Sequence, residues 1–134
     1  MTPNGNIDTV KAIYEAFGQG DAATILEKVT DDVDWSAEAA SDAAPWWGQR
    51  SGKDEVAKFF EDIAGAVDVQ EFTPLSFAAN DTEVMTLIRF RVTAKATGKE
   101  AAMNLHHYFR FADGKVAQYR GTEDTQQTAA MLAG

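Results

Sequence analysis

The apolar residues of this chain change their spacing about halfway along, and that change constrains the fold more than any other feature. In the first half they recur every three or four residues, the period of a helix. From residue 69 onward they alternate, the period of a strand. Ile7, Val10, Ile13, Tyr14 and Phe17 therefore share one helix face, with Asn6 as the expected N-cap and Gly18 as the stop. Asp21 is placed to cap a second, short helix carrying Ile25, Leu26 and Val29. Asp31-Asp32 ends it, and Val33-Asp34-Trp35 reads as a short strand. Residues 36–52 are irregular. Ser51 and Asp54 have the spacing of a capping box, a hydroxyl followed three residues later by an acid. The helix they open carries Val56, Phe59, Phe60, Ile63 and Val67 on one side, and needs a sheet to cover that face.

Four strands are predicted beyond it, over residues 69–78, 83–96, 99–111 and 115–123. Asn80-Asp81, Thr97-Gly98 and Asp113-Gly114 are the turns between them. Turns this short force antiparallel neighbours, and the two long strands are expected to curl. Pro74 lacks an amide hydrogen, so its strand should be an edge or carry a bulge. The expected fold class is α+β, a curved antiparallel sheet wrapped around N-terminal helices with an apolar pocket between them. No linker or repeat interrupts residues 1–134, which reads as a single domain. The tail after Asp124 reads as a last helical turn or a frayed end.

Charge excludes some partners. The formal net charge is -9 and no cluster of Lys and Arg offsets it, so neither nucleic acid nor an anionic membrane surface is expected as a partner. Met1 to Asp8 lacks the basic and apolar blocks of a signal peptide, and no apolar run reaches the length of a membrane span. A cytoplasmic location is expected. The absence of cysteine excludes disulfides, a thiol nucleophile and a cysteine–zinc site.

The chemistry rests on strand parity. In 103–111 one face holds Met103, Leu105, His107, Phe109 and Phe111, and the other Asn104, His106, Tyr108 and Arg110. The apolar face should meet the helices, which puts His107 mid-face, shielded from water. There it is either a general acid or base, or a core histidine bonded to a neighbour. His106 points the other way, so the pair cannot chelate one metal from one side, and no metal site is expected. On the last strand Ala117, Tyr119, Gly121 and Glu123 alternate against Val116, Gln118, Arg120 and Thr122. The Tyr119 set pairs with the His107 face, so Tyr119 and Glu123 would line the same cavity, with Gly121 leaving room for a ligand. Glu123 and Asp124 have the alternative of lying in water at the strand end. Trp46 and Trp47 sit in the irregular segment, where two exposed rings are costly. They form either a pocket lid or a loop packed on the domain or on a second subunit. Arg89 and Arg91 share a strand face and either pair acids across the sheet or hold an anion.

Several stretches resemble a known family. Val10-x-x-x-Tyr14-x-Ala16-Phe17-x-x-Gly20-Asp21 resembles the opening of the nuclear transport factor 2-like superfamily. The closer likeness is to its polyketide cyclase-like (SnoaL-like) and ketosteroid isomerase-related branch. Asp31-Asp32-Val33-x-Trp35, Pro45-Trp46-Trp47-Gly48, Gly52 and Val56-x-x-Phe59-Phe60 continue the likeness. So do Glu71-Phe72-x-Pro74, Thr97-Gly98-Lys99, His107-x-Phe109-x-Phe111-x-Asp113-Gly114-Lys115-Val116 and Asp124-Thr125. The resemblance spans nearly the whole chain. It implies a cone-like sheet, a pocket between sheet and helices, and a homodimer formed through the sheet.

Enzymes of that family include isomerases, cyclases, dehydratases and epoxide hydrolases, mostly without cofactors, so the resemblance implies no cofactor here. In ketosteroid isomerases the position matching His107 carries an acid that stabilises an oxyanion. A second acid, which acts as base, falls here on Ala37 or, with a one-residue slip, on Glu38. The isomerase tyrosine corresponds to Tyr14. Epoxide hydrolases of this fold use an Asp-Arg-Asp set, whereas Arg89-x-Arg91 has no acid beside it. In cyclase-like members a pocket histidine works with a carboxylate on the final strand, which His107 with Glu123 or Asp124 matches.

These readings predict a pocket protein for a small apolar molecule. The leading expectation is a cofactor-independent enzyme of cyclase, isomerase or hydrolase type using acid/base catalysis. His107 would shuttle a proton, and Tyr119 and Glu123 would orient it or stabilise charge. Trp35, Trp46 and Trp47 would wall the pocket, Phe109 would form its floor, and Tyr14, Phe17, Phe60 and Leu105 would complete it. The rival is a non-catalytic dimeric domain for ligand binding or assembly. An enzyme needs His107 within hydrogen-bond reach of a second polar group and facing open space.

Overall fold

The computed structural model describes residues 2–134; Met1, the first residue of the stretch read for a signal peptide, lies outside them. In chain order the elements are helices α1 (Pro3–Gly18) and α2 (Ala22–Glu27), strands β1 (Val29–Ala37) and β2 (Gly48–Ser51), helix α3 (Gly52–Ala66), strands β3 (Val67–Ala79), β4 (Glu83–Ala94), β5 (Glu100–Ala112) and β6 (Lys115–Thr122), and helix α4 (Thr125–Leu132). Among the described residues no helix is long and apolar enough to cross a membrane.

Local chemistry sets the helix ends. Thr2, not Asn6, caps α1: its hydroxyl accepts the Gly5 N–H at 3.0 Å, with Pro3 in the first turn. Counting apolar spacing from Ile7 hides this first turn, because Pro3 and Gly5 contribute nothing to an apolar face. Asn6 is instead buried, and its amide donates to the Asp81 carbonyl at 3.1 Å. Asp21 caps α2, accepting from the Thr24 N–H at 3.1 Å and the Thr24 hydroxyl at 2.6 Å. Ser51 caps α3 by position only, since its hydroxyl makes no cap bond. The reach-back comes from Glu55 rather than Asp54, with Glu55 Oε1 accepting the Ser51 N–H at 2.9 Å. The tail forms a full helix, α4, capped by the Asp124 carboxylate, which accepts the Gln127 N–H at 3.1 Å.

The strands lie in the order β2-β1-β6-β5-β4-β3. From β3 to β6 they form the antiparallel run that their turns require. Asp113 and Gly114 both adopt positive φ, 51° and 79°, as a two-residue hairpin needs. Pro74 lies on the edge strand, and the ladder slips between Pro74 and Ser76, so edge and bulge coincide.

The expected cone-like, wholly antiparallel sheet wrapped around the helices is not what forms. β1 joins β6 in parallel, pairing Trp35 with Tyr119 and Ala37 with Gly121, so the sheet is mixed. Its order is open, ending on β2 and β3 as two separate edges. Turn chemistry dictates direction only between the strands a turn joins. A helix and four strands separate β1 from β6, so no local signal specified how they would meet. The short β2 was also hidden, since Gly-Gln-Arg-Ser shows no alternation.

Helices α1 and α3 cover one face of the sheet, α1 over β3 and β4 and α3 over β1. That face buries Met103, Leu105, His107, Phe109 and Phe111 from β5, together with Val84, Thr86, Ile88, Phe90 and Val92 from β4. The predicted parity of β5 therefore holds. On β6 it fails at the start, where a slip between Arg110 and Phe111 turns Val116 inward and leaves Ala117 half-buried. Tyr119 and Gly121 keep the inward face.

Candidate functional site

Between the helices and this face lies a cavity of about 80 Å³. His107 borders it from the middle of β5. Its Nδ1 lies 2.8 Å from the Tyr14 hydroxyl, which is 2.7 Å from Thr86 Oγ1. All three side chains are buried. The balance of hydrogens sets the direction of this chain. Among the described residues Thr86 Oγ1 bonds only to Tyr14, so its hydrogen is used if Thr86 donates to Tyr14. Tyr14 then donates to Nδ1, and the neutral imidazole carries its hydrogen on Nε2, the nitrogen with no partner among the described residues. Burial raises the Tyr14 pKa, which keeps the phenol a donor.

Burial, with a smaller push from His106, lowers the His107 pKa from the usual 6.5 to about 3. The ring is therefore neutral at physiological pH. Between these two values the unfolded chain binds the extra proton. His107 thus contributes stability that is complete above about 6.5 and is lost as pH falls toward about 3, at up to ~1.4 kcal/mol per pH unit. Denaturant midpoints taken from about pH 7 down to about pH 4 should fall less steeply in His107→Gln than in the unsubstituted protein. Parallel slopes would contradict a buried neutral ring.

Tyr119 stands beside His107, with ring centroids 5.1 Å apart, and stacks on Trp35 at 4.1 Å and 25°. This stack is a product of the parallel β1–β6 pairing. Burial raises the Tyr119 pKa, with smaller contributions from Tyr14 and Glu123, so its phenol stays protonated. Gly121 makes the hydroxyl's position possible. A Cβ there would lie 2.2 Å from the Tyr119 hydroxyl oxygen and 3.4 Å from His107 Cδ2. The space expected for a ligand is thus occupied by Tyr119 itself. Trp35 Nε1 is a buried donor with no hydrogen-bond partner among the described residues. An unpaired donor of this kind costs about 1–3 kcal/mol.

Glu123 explains the paired tryptophans. Its Oε1 accepts the indole N–H of Trp46 at 3.2 Å and of Trp47 at 2.9 Å. Its Oε2 accepts the Thr128 hydroxyl at 2.5 Å. The loop before β2 and the final helix are thus latched to one carboxylate. Three of its roughly four acceptor sites are taken. Asp124 is exposed and caps α4, so of the two final-strand acids it is Glu123 that borders the cavity.

Tyr14, Phe17, Trp35, Trp46, Phe60, Leu105, His107, Phe109, Tyr119 and Glu123 all line the cavity. Trp47 does not line it, and acts on it through Glu123. The hydrogen-bond partner of His107 is Tyr14, from the first helix, rather than Tyr119 or Glu123. Ala37 borders the cavity, whereas Glu38 is exposed and pairs with Arg120 at 3.4 Å. No isomerase-type base therefore arises there. Arg91 pairs with Glu100 at 3.4 Å, the pairing alternative for that strand face. His106 is exposed on the opposite face from His107, and among the described residues no three His, Cys, Asp or Glu side chains cluster to hold a metal.

Sequence reasoning missed Thr86 and Thr128. Thr86 had a signal, a hydroxyl in the alternating apolar set of β4. Thr128 had none, because its place depends on where α4 docks.

The sequence matches the model of the SnoaL-like domain over residues 10–119. The chain belongs to the SnoaL-like family. This places it in the polyketide cyclase-like branch of the nuclear transport factor 2-like superfamily, and solved structures share its fold. It is similar to a nuclear transport factor 2-like protein of unknown function from Burkholderia pseudomallei K96243, at 25% identity and a TM-score of 0.89, covering 97% of this chain and 98% of that one. A candidate polyketide cyclase from Xanthomonas campestris pv. campestris is similar at 18% identity and a TM-score of 0.82, over 99% of this chain and 100% of the other. An epoxide hydrolase from M. tuberculosis described as LEH-like is similar at 17% identity and 0.75, over 97% and 90%. At such identities the last two speak for the fold alone. No curated protein matches the chain. The domain is thus a small apolar-pocket member of a family related to cyclases, isomerases and hydrolases.

Proposed function

We propose that this SnoaL-like protein is a cofactor-independent enzyme of the cyclase or isomerase kind, which removes a proton from the carbon beside the carbonyl of an apolar ketone. The observation that carries this reading is the polarity of the groups left free at the cavity. Two are donors on adjacent rings, 5.1 Å apart: His107 Nε2–H and the Tyr119 hydroxyl. One is an acceptor, the remaining site on Glu123. Two neighbouring donors on the wall of an apolar cavity suit an oxygen that gains negative charge.

In the proposed step Glu123 takes the α-proton and the C–H electron pair becomes the C=C bond of the enolate. The carbonyl electrons move to oxygen, where His107 and Tyr119 hold them. For a β,γ-unsaturated ketone, return of the proton from Glu123 to the γ-carbon completes an isomerisation; where the enolate attacks a second carbonyl of the same molecule, return of the proton to the new alkoxide completes a cyclisation. We assign the proton to Glu123 rather than His107 because Nδ1 already accepts from Tyr14 and Nε2 carries the ring's hydrogen, which leaves the neutral imidazole no free lone pair.

The test needs no knowledge of the natural substrate. An apolar cyclic ketone such as a tetralone, incubated in deuterium oxide, should exchange its α-hydrogens faster with the protein than with buffer, followed by proton NMR. A ketone that binds but exchanges at the buffer rate would leave the non-catalytic binding domain as the better description.

We also infer pairing of two copies through the outer sheet face. Met85, on the face of β4 opposite the buried set, is 54% exposed, and Leu75 on neighbouring β3 is 56% exposed. Light scattering should report twice the chain mass, and Met85→Lys with Leu75→Lys should return it to one. A single-chain mass at all concentrations would remove this inference.

A further inference from the structure

The inner cavity, at about 80 Å³, is small against the 300–1,000 Å³ or so typical of ligand pockets. A second hollow of about 670 Å³ lies directly outside it, between the ends of α1 and α3, helix α2 and strand β3. Phe17, Phe60, Ile63, Val67 and Phe72 line both spaces, and the three phenylalanines supply the rings between them. Phe17 lies 6.0 Å from Phe60 and 5.2 Å from Phe72, centroid to centroid, and all three rings are only half-buried. They form a partition made of side chains alone, which rotamer changes can open.

We propose that the two spaces are one binding site. An elongated amphiphile would put its apolar, ketone-bearing end through the phenylalanine partition and lay its outer end in the cleft. The inference rests on the ketone reading for the inner end, and it adds the class of the outer end. The cleft wall carries four carboxylates, Asp21, Glu61, Asp68 and Glu71, and one ammonium, Lys95. Lys95 is already committed, lying 3.9 Å from Asp68 and donating to the Ala64 carbonyl at 2.6 Å. A carboxylate or phosphate in the cleft would meet uncompensated negative charge on a chain of net charge -9. The outer end is therefore neutral or cationic. Acyl carriers that present phosphates are excluded.

The test uses aryl ketones with a short alkyl arm and with a long arm ending in hydroxyl, trimethylammonium or carboxylate. Dissociation constants come from tryptophan fluorescence. The long hydroxyl and trimethylammonium probes should bind about tenfold or more tighter than the short one, through the added apolar burial. The carboxylate probe should bind several-fold more weakly than the hydroxyl probe, and Glu61→Lys with Glu71→Lys should erase that difference. Ala64→Trp, at an exposed position on the cleft wall, should remove the length advantage and leave the short probe's affinity unchanged. If short and long probes bind alike and Ala64→Trp alters neither, the cleft is not part of the site. Continued α-exchange of the short ketone would then leave the inner reading standing. If no probe binds, both fall.

Discussion

Alanine at His107 is expected to slow α-hydrogen exchange by about a hundredfold to a thousandfold, the loss that follows removal of one preorganised oxyanion donor. The chain should still fold, since the neighbouring aromatic rings keep most of the packing. The size of the loss depends on direction as well as proximity. Nε2 is the ring nitrogen without a partner among the described residues, and Tyr14 holds the other at 2.8 Å. Tyr14→Phe should therefore give a smaller loss, because the imidazole remains and only its tautomer and tilt are released. It should also unpair Thr86. Exchange rates measured by NMR on both variants, with circular dichroism as the folding control, distinguish the two roles. An unchanged rate in His107→Ala would end the assignment of this ring to the reaction.

Alanine at Glu123 is expected to cost about 2–4 kcal/mol of stability, more than any single exposed substitution. The carboxylate accepts from two indoles and a hydroxyl that reach it from the loop before β2 and from α4. Removing it strands the two indole donors and leaves the Thr128 hydroxyl no oxygen but the Asp124 carbonyl at 3.1 Å, within its own helix cap, so the loop and the final helix should loosen together. Denaturant midpoints report the first effect. A red shift of tryptophan emission reports the second, because Trp46 and Trp47 are now only 6% and 9% exposed. Glu123→Gln keeps one acceptor oxygen and should fall between the two in stability, while losing exchange as fully as alanine does. Unchanged stability and emission in Glu123→Ala would contradict the latch.

Much of the site was legible before the fold was known, for a definite reason. Strand parity is local, so the alternation through Met103, Leu105, His107 and Phe109 was enough to turn the imidazole inward. The same rule brought Tyr119 to that face. It failed at Ala117, where a bulge inserts one residue that no composition signal announces. The Gly121 space was anticipated, but not its occupant, because the Tyr119 ring runs along its own strand. Of the paired tryptophans, Trp46 borders the cavity and Trp47 does not, a difference that no spacing in the loop announced.

The α+β class, the antiparallel run from β3 to β6 and the inward face of β5 were all encoded locally along the chain. Each follows from side-chain period or from a turn a few residues long. Long-range packing set the rest: β1 lies parallel to β6, Trp35 stacks on Tyr119, and His107 is held by Tyr14 from 93 positions away. Such contacts join segments with no short covalent path between them, so their geometry is set by how the helices and sheet pack as a whole.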